Sequence, residues 1–244
     1  MLNVEAVSRR FARDGGAPVV ALDRVDLTLR EHEILALVGT SGCGKSTLLR
    51  ILSGLDRPTS GRVALDGRVL SGPTPEIGMV FQEPRLMPWL PVRENIRLAV
   101  LDQPRAIQDQ RITAALDRVG LNDAAEAWPK ALSGGMAQRA ALARALVRQP
   151  SILLMDEPFS ALDSFTKTAL QDHVLDLWGR GGFTVVLVTH DLEEAAVLAD
   201  RVVVMRGDPG RVHQVVEIDD PRPRDRTGAE VQRIKRELAV SLEG

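Results

Sequence analysis

The sequence has no tyrosine, five phenylalanines, three tryptophans and one cysteine, Cys43, in 244 residues. A single cysteine excludes an internal disulfide framework and a cysteine-built zinc cluster. No uninterrupted apolar run approaches the roughly 18–20 residues that span a bilayer. The start, Met1-Leu2-Asn3-Val4-Glu5, lacks the basic opening and apolar stretch of a signal peptide. The chain is therefore expected to stay in the cytosol. An excess of one charge is missing too: 31 basic side chains face 33 acidic ones, for a net charge of −2. That balance offers no global basic field for nucleic acid. The local cluster Arg222-Pro223-Arg224 reads as a short solvated tail, with a phosphate or lipid contact as the alternative. What remains is an ordinary globular composition, 44% hydrophobic and 26% charged. The length suits one or two closely joined domains with an ample core.

Short apolar, β-branched runs alternate with helical stretches. Glu33–Val38, Ile77–Phe81, Ser151–Met155, Phe183–Thr189 and Arg201–Met205 read as strands covered on both faces, as in a parallel sheet. Lys45–Leu52, Ser164–Trp178 and Leu192–Ala199 read as helices, giving a wound α/β core. The beginning differs. Leu2, Val4 and Ala6 alternate with polar residues, as do Val25, Leu27 and Leu29, and Asp66-Gly67 is a favoured hairpin turn within Arg62–Leu70. These form an expected antiparallel patch, with a turn over Asp14-Gly15-Gly16-Ala17-Pro18. From Glu83 to Gln149 strand signals vanish, and Val92–Leu101, Ala106–Val119 and Met136–Arg148 have helical spacing. That stretch reads as a helical insert. After Glu217 the chain turns polar, then helical from Gly228 to Leu242.

Gly39-Thr40-Ser41-Gly42-Cys43-Gly44-Lys45-Ser46 joins an apolar strand to a helix, the context a phosphate-binding P-loop requires. Glycines let backbone N–H groups approach an anion, and the helix N-terminus adds partial positive charge. Lys45 would reach the β- and γ-phosphates of a nucleotide. Ser46 would place its hydroxyl on Mg²⁺, and Thr47 would help on the α-phosphate side. For Cys43 a redox role and a merely tolerated small side chain are both open.

Ser151–Met155 is a buried strand that delivers Asp156 and Glu157 to its C-terminal edge, where ligands of α/β proteins bind. Asp156 would hold Mg²⁺ and Glu157 would polarise an attacking water as general base. His190 follows another buried strand and would contact the γ-phosphate or that water; Asp191 would cap the next helix. Gln82 ends the Ile77–Phe81 strand, where it would touch Mg²⁺ or water and sense the insert.

Taken in order, the P-loop, Gln82, Leu132-Ser133-Gly134-Gly135, Met155-Asp156-Glu157, Ser160-Ala161-Leu162-Asp163 and His190 resemble the nucleotide-binding subunit of ATP-binding cassette (ABC) transporters. The resemblance runs over essentially the whole chain. It implies a P-loop NTPase fold: mainly parallel sheet, antiparallel β patch and inserted helical subdomain. Residues 1–82 and 150–217 would form the core, 83–149 the helical subdomain and 218–244 a tail. It implies ATP and Mg²⁺ as ligands and a head-to-tail dimer with a second copy. Ser133, Gly134, Gly135 and Asp163 would complete the other copy's site. The family's usual signature ends in Gln; here Met136 stands in its place. The family also stacks an aromatic on adenine, which leaves Phe11 as candidate, with a core or edge phenylalanine as the alternative.

The segments Gly78–Trp89 and Phe159–Thr166 resemble importer ATPases of the nitrate/sulfonate/taurine group. The resemblance implies an energy-coupling subunit at the cytoplasmic face of the inner membrane, with separate transmembrane permease subunits and, indirectly, a substrate-binding protein. With its end near residue 244, the chain is expected to lack the large C-terminal domain of sugar-importer ATPases. Trp89 and Arg85 sit where the family meets its permease, and a Trp buried in the insert is the alternative reading. An ATPase of an exporter or lipoprotein-release system, or a soluble non-transport ABC ATPase, are the competing functions.

Overall fold

The computed structural model describes residues 1–13 and 16–243. The turn expected over Asp14–Pro18 lies partly outside them. Along the chain run β1 (Leu2–Phe11), β2 (Val19–Leu29), β3 (Ile34–Gly39), α1 (Lys45–Leu52), β4 (Ser60–Leu65), β5 (Arg68–Val69) and β6 (Ile77–Val80). Then come α2 (Val92–Arg97), α3 (Arg105–Arg118), α4 (Gly134–Leu146), β7 (Ile152–Asp156) and α5 (Ser164–Gly181). The chain finishes with β8 (Thr184–Val188), α6 (Leu192–Leu198), β9 (Arg201–Arg206), β10 (Arg211–Glu217) and α7 (Ala229–Glu243). Two compact units result, Met1–Thr74 with Thr184–Gly244 and Pro75–Phe183.

The first unit holds an antiparallel sheet in the order β2-β1-β4-β5. Val25, Leu27 and Leu29 are buried along β2, as alternation demands. In β1 the period slips. Leu2 and Val4 are buried, but Ala6 has a φ of 47° at a register shift, is exposed, and hands its inward place to Val7. The expected inward Ala6 is therefore corrected by a bulge, where one extra residue resets the alternation. The Ala6 N–H donates to Asp26 Oδ1 at 2.7 Å there. Asp66 and Gly67 both have positive φ, 48° and 78°, the geometry of the hairpin turn read from their sequence.

The same unit builds β3 between parallel neighbours β8 and β9, with β10 antiparallel on the outer side of β9. Every residue of β3 and β8 is buried, which accounts for their unbroken apolar runs. β10 carried no strand signal: it alternates exposed residues, mostly polar, with half-buried or buried ones, as an edge strand does. In the second unit β6 and β7 pair in parallel from Ile77↔Ile152 to Val80↔Met155. Gly78 is needed in that pair: a Cβ would lie 2.8 Å from the Ala145 carbonyl oxygen. α2, α3 and α4 fill the stretch read as a helical insert. The fold class is α/β with mainly parallel strands and an antiparallel sheet, as the sequence implies.

Candidate functional site

The phosphate loop lies in the first unit, between β3 and α1. Gly39 is set by crowding: a Cβ would sit 2.4 Å from the Met205 carbonyl oxygen and 2.5 Å from Cys43 Sγ. Gly44 is set twice, by a φ of 89° and by Ala21 O, which a Cβ would meet at 2.8 Å. Gly42 needs only its φ of 84°, with open space around it. The loop thus presents backbone on its outer side and is packed hard on its inner side. Gly44 also caps α1, and as a glycine it brings no side-chain bond to this helix end. Lys45 is buried and folds back over the loop, donating from Nζ to Gly39 O at 2.8 Å and Thr40 O at 3.1 Å. Its ammonium therefore sits against the loop it would serve. Cys43 is buried beneath the loop with Sγ 3.8 Å from Lys45 Nζ. Of its two open readings, the packed small side chain is the one observed, since reactive thiols are accessible.

Phe11, at the end of β1, pairs with Val19. It is 38% exposed, and the Arg9 guanidinium covers one face of its ring at 4.5 Å. A cation over an aromatic face is itself favourable, so any adenine contact is left to the other face. His190 is exposed at the end of β8. Asp191 caps α6, accepting from the Glu193 N–H at 2.8 Å and the Glu194 N–H at 3.4 Å, as expected from its position. Thr189 and Glu194, both buried, bond through their side chains and close the turn around His190.

Gln82, the signature segment, Asp156, Glu157 and Asp163 lie in the second unit. Asp156 ends β7. Glu157 has a φ of 45°, a conformation that costs a non-glycine residue about 1–3 kcal/mol and gathers at functional sites. Ser160 donates from its hydroxyl to the Glu157 carbonyl oxygen at 2.9 Å and accepts from Gln82 Nε2 at 3.3 Å. The structure thus brings Gln82 to the turn that carries Glu157. Ser133 caps α4, accepting from the Met136 N–H at 3.2 Å. Gly135 is packed so that a Cβ would lie 2.5 Å from Thr166 Cγ2, and one on Gly134 would lie 3.4 Å from Leu162 Cδ2. The signature glycines therefore rest on the segment of Asp163. That carboxylate caps α5, and its bonds from the Thr166 side chain and backbone hold its pKa below the usual value.

Sequence reasoning missed the side chains that hold the Gln82 segment. Gln138 donates to Phe81 O at 3.2 Å, and Arg144 donates to Pro84 O at 2.7 Å and Arg85 O at 2.8 Å. Both stand on α4, whose N-terminus is the signature. A buried Gln among the alanines and leucines of α4 was the available signal. Asn95, fully buried, braces the next loop by accepting from the Met87 N–H and donating to Met87, Leu90 and Pro91 carbonyls. That loop presents Trp89 67% exposed, which decides its two readings in favour of the surface.

Among the described residues no helix is long and apolar enough to cross a membrane. The ABC transporter family profile matches residues 22–160. An aliphatic sulfonates import ATP-binding protein of Xanthomonas axonopodis pv. citri is 52% identical over 223 residues, covering 89% of this chain and 88% of its own length. One of the same description from Bacillus licheniformis is 41% identical, covering 99% and 94%. Among solved structures, a dimeric ATP-binding cassette in a post-hydrolysis state, bound to ADP and Pi, is 32% identical with a TM-score of 0.79, covering 91% of this chain and all of that one. The chain belongs to the ABC transporter family, as an ATP-binding, ATP-hydrolysing subunit.

Proposed function

We propose that this chain hydrolyses ATP to drive import of an aliphatic sulfonate, or a similar small anion such as nitrate or taurine, through separate membrane-spanning subunits. The observation that carries the reading is one chain with two differently built helix N-termini: a lysine-backed phosphate loop and a glycine-packed signature. The names of the sulfonate-import relatives support the solute class.

Backbone N–H groups of Gly39–Ser46 hold the phosphates, Thr47 aids on the α-phosphate side, and Lys45 turns its ammonium from the loop carbonyls to the β- and γ-oxygens. Among the described residues no cluster of three or more His, Cys, Asp or Glu could hold a metal. The remaining donors, the Ser46 hydroxyl, the Gln82 carboxamide and the Asp156 carboxylate, are hard oxygens. They fit Mg²⁺, which takes few protein ligands and shares its shell with phosphate and water. When bound, Mg²⁺ neutralises charge on the transferring phosphate oxygens. Glu157 accepts the proton of the attacking water and His190 contacts the γ-phosphate. Ser133, Gly134, Gly135 and Asp163 act on the nucleotide of a second copy, so two copies close on ATP and separate after hydrolysis. Residues 83–149 transmit that closure to the permease at the cytoplasmic face of the membrane, with Trp89 as an anchor.

Glu157→Gln tests the reading. ATP binding persists and the ATP-bound dimer accumulates, while turnover falls roughly 10²–10⁴-fold, the usual share of a general base. Undiminished hydrolysis would remove Glu157 from that role. Trp89→Ala weakens pull-down of the permease and spares ATP binding; the reverse pattern would remove Trp89 from the interface.

A further inference from the structure

The segment after Glu217 is not a solvated tail. Arg224 is 7% exposed, and its guanidinium is spent on main-chain carbonyls. It donates from Nη1 to Ala196 O at 3.0 Å, Val197 O at 3.3 Å and Ala199 O at 2.6 Å. From Nε it reaches Asp220 O at 2.8 Å, and from Nη2 Ile218 O at 3.3 Å. Arg222 donates to Leu198 O at 3.1 and 2.7 Å and pairs with Asp200 Oδ1 at 2.7 Å. Asp200 also accepts from the Ile34 N–H of β3 at 2.8 Å.

These bonds account for the whole C-terminal turn of α6. The Ala195 carbonyl accepts from the Ala199 N–H within the helix, and those of Ala196, Val197, Leu198 and Ala199 accept from the two arginines. A helix end buried without partners is costly. Here two cations close it, in the place where the helix dipole favours positive charge. A guanidinium so buried, with the Asp220 carboxylate 3.9 Å from its Nε, needs this full set of acceptors in turn. The other end of α6 is tied as well: Lys235 of α7 donates to Glu193 Oε2 at 2.8 Å, two residues past the cap Asp191 and three past His190.

We infer that the segment Asp220–Lys235 clamps α6 at both ends and is a positioning device for His190, with Arg224 its principal residue. The inference rests on the reading of His190 as a γ-phosphate contact. Arg224 touches no substrate and acts through the helix. α6 is seven residues long, so a tilt or one-residue slip at its C-terminal end moves the turn at its start. Fixing both ends removes that freedom and keeps the imidazole where β8 delivers it.

The test uses the full chain with Mg²⁺ and ATP. In Arg224→Met, kcat falls at least tenfold while KM for ATP stays within twofold; Arg224→Lys, which keeps the charge but loses the fork, recovers part of the rate. Lys235→Ala, at a half-exposed site that spares the core, lowers kcat two- to threefold. The imidazole NMR signals give a readout that mere loss of stability does not move. Four histidines are present, and the His190 signal is assigned by its loss in His190→Gln. Lys235→Ala and Arg224→Lys shift that signal and leave those of His32 and His173 in place. Folded clamp variants with wild-type kcat and an unmoved His190 signal would overturn the inference. Wild-type turnover in His190→Gln would overturn the γ-phosphate reading instead, and the shifted signal alone would then decide for or against the clamp.

Discussion

The N-termini of α1 and α4 face the same physical problem and solve it in opposite ways. Both leave backbone N–H groups without carbonyl partners inside the helix. At α1 the cap is Gly44, left-handed and without a side chain, and the neighbouring lysine is folded onto the loop carbonyls. At α4 the cap is Ser133 in extended conformation, its hydroxyl already accepting from the Met136 N–H. The first end offers its donors outward and can hold an anion by itself. The second is satisfied in isolation, its cap hydroxyl already holding a partner. That contrast is what the proposal, one loop binding nucleotide within a chain and the other serving a second chain, leads one to expect.

Four substitutions break or sharpen the contrast. Gly39→Ala has the largest effect, because the added Cβ lies 2.4 Å from a backbone oxygen that cannot rotate away. Overpacking of this kind costs about 1–3 kcal/mol, and with the loop displaced, calorimetry finds no ATP binding. Gly135→Ala comes next. Its Cβ pushes Thr166, while alanine's better helix propensity offsets the cost by about 1 kcal/mol. Thermal stability therefore changes little and ATP binding is kept, but turnover is lost, because α4 no longer seats on the Asp163 segment. Ser133→Ala removes the cap, lowers stability by about 1 kcal/mol, and reduces turnover with KM for ATP unchanged. Met136→Gln has the smallest effect. Position 136 is the third of α4, where a glutamine side chain reaches back to the cap N–H. A rise of a few tenths of a kcal/mol, within the usual range for surface changes, is expected by thermal melts, with ATP affinity unaltered.

How much of this was legible in the sequence differs along the chain. Lys45–Leu52 was read to the residue, since a glycine loop and a lysine mark that start unmistakably. Strands β3, β8 and β9 were visible because burial on both faces leaves apolar runs, Val185–Val188 in β8 and Val202–Met205 in β9. The shift at Ala6 was not, because it depends on Asp26 and on a bulge set by pairing with other strands. β10 hid behind its polar edge. Arg224 is the clearest failure: charge and proline neighbours suggested solvent, while three of its acceptors lie 25 to 28 positions away. The packing of Gly135 on Thr166 and the bond from Gln82 to Ser160 also join residues distant in sequence, and only the folded unit shows them.

The most direct measurement is light scattering of the Glu157→Gln chain with and without ATP, repeated with Gly135→Ala added. If one loop binds nucleotide and the other completes a second copy's site, Glu157→Gln doubles its mass on adding ATP. The double variant then binds ATP by calorimetry with similar affinity and stays monomeric. A double variant that dimerises as readily, or that loses ATP binding as a monomer, would contradict the division of labour between the two loops.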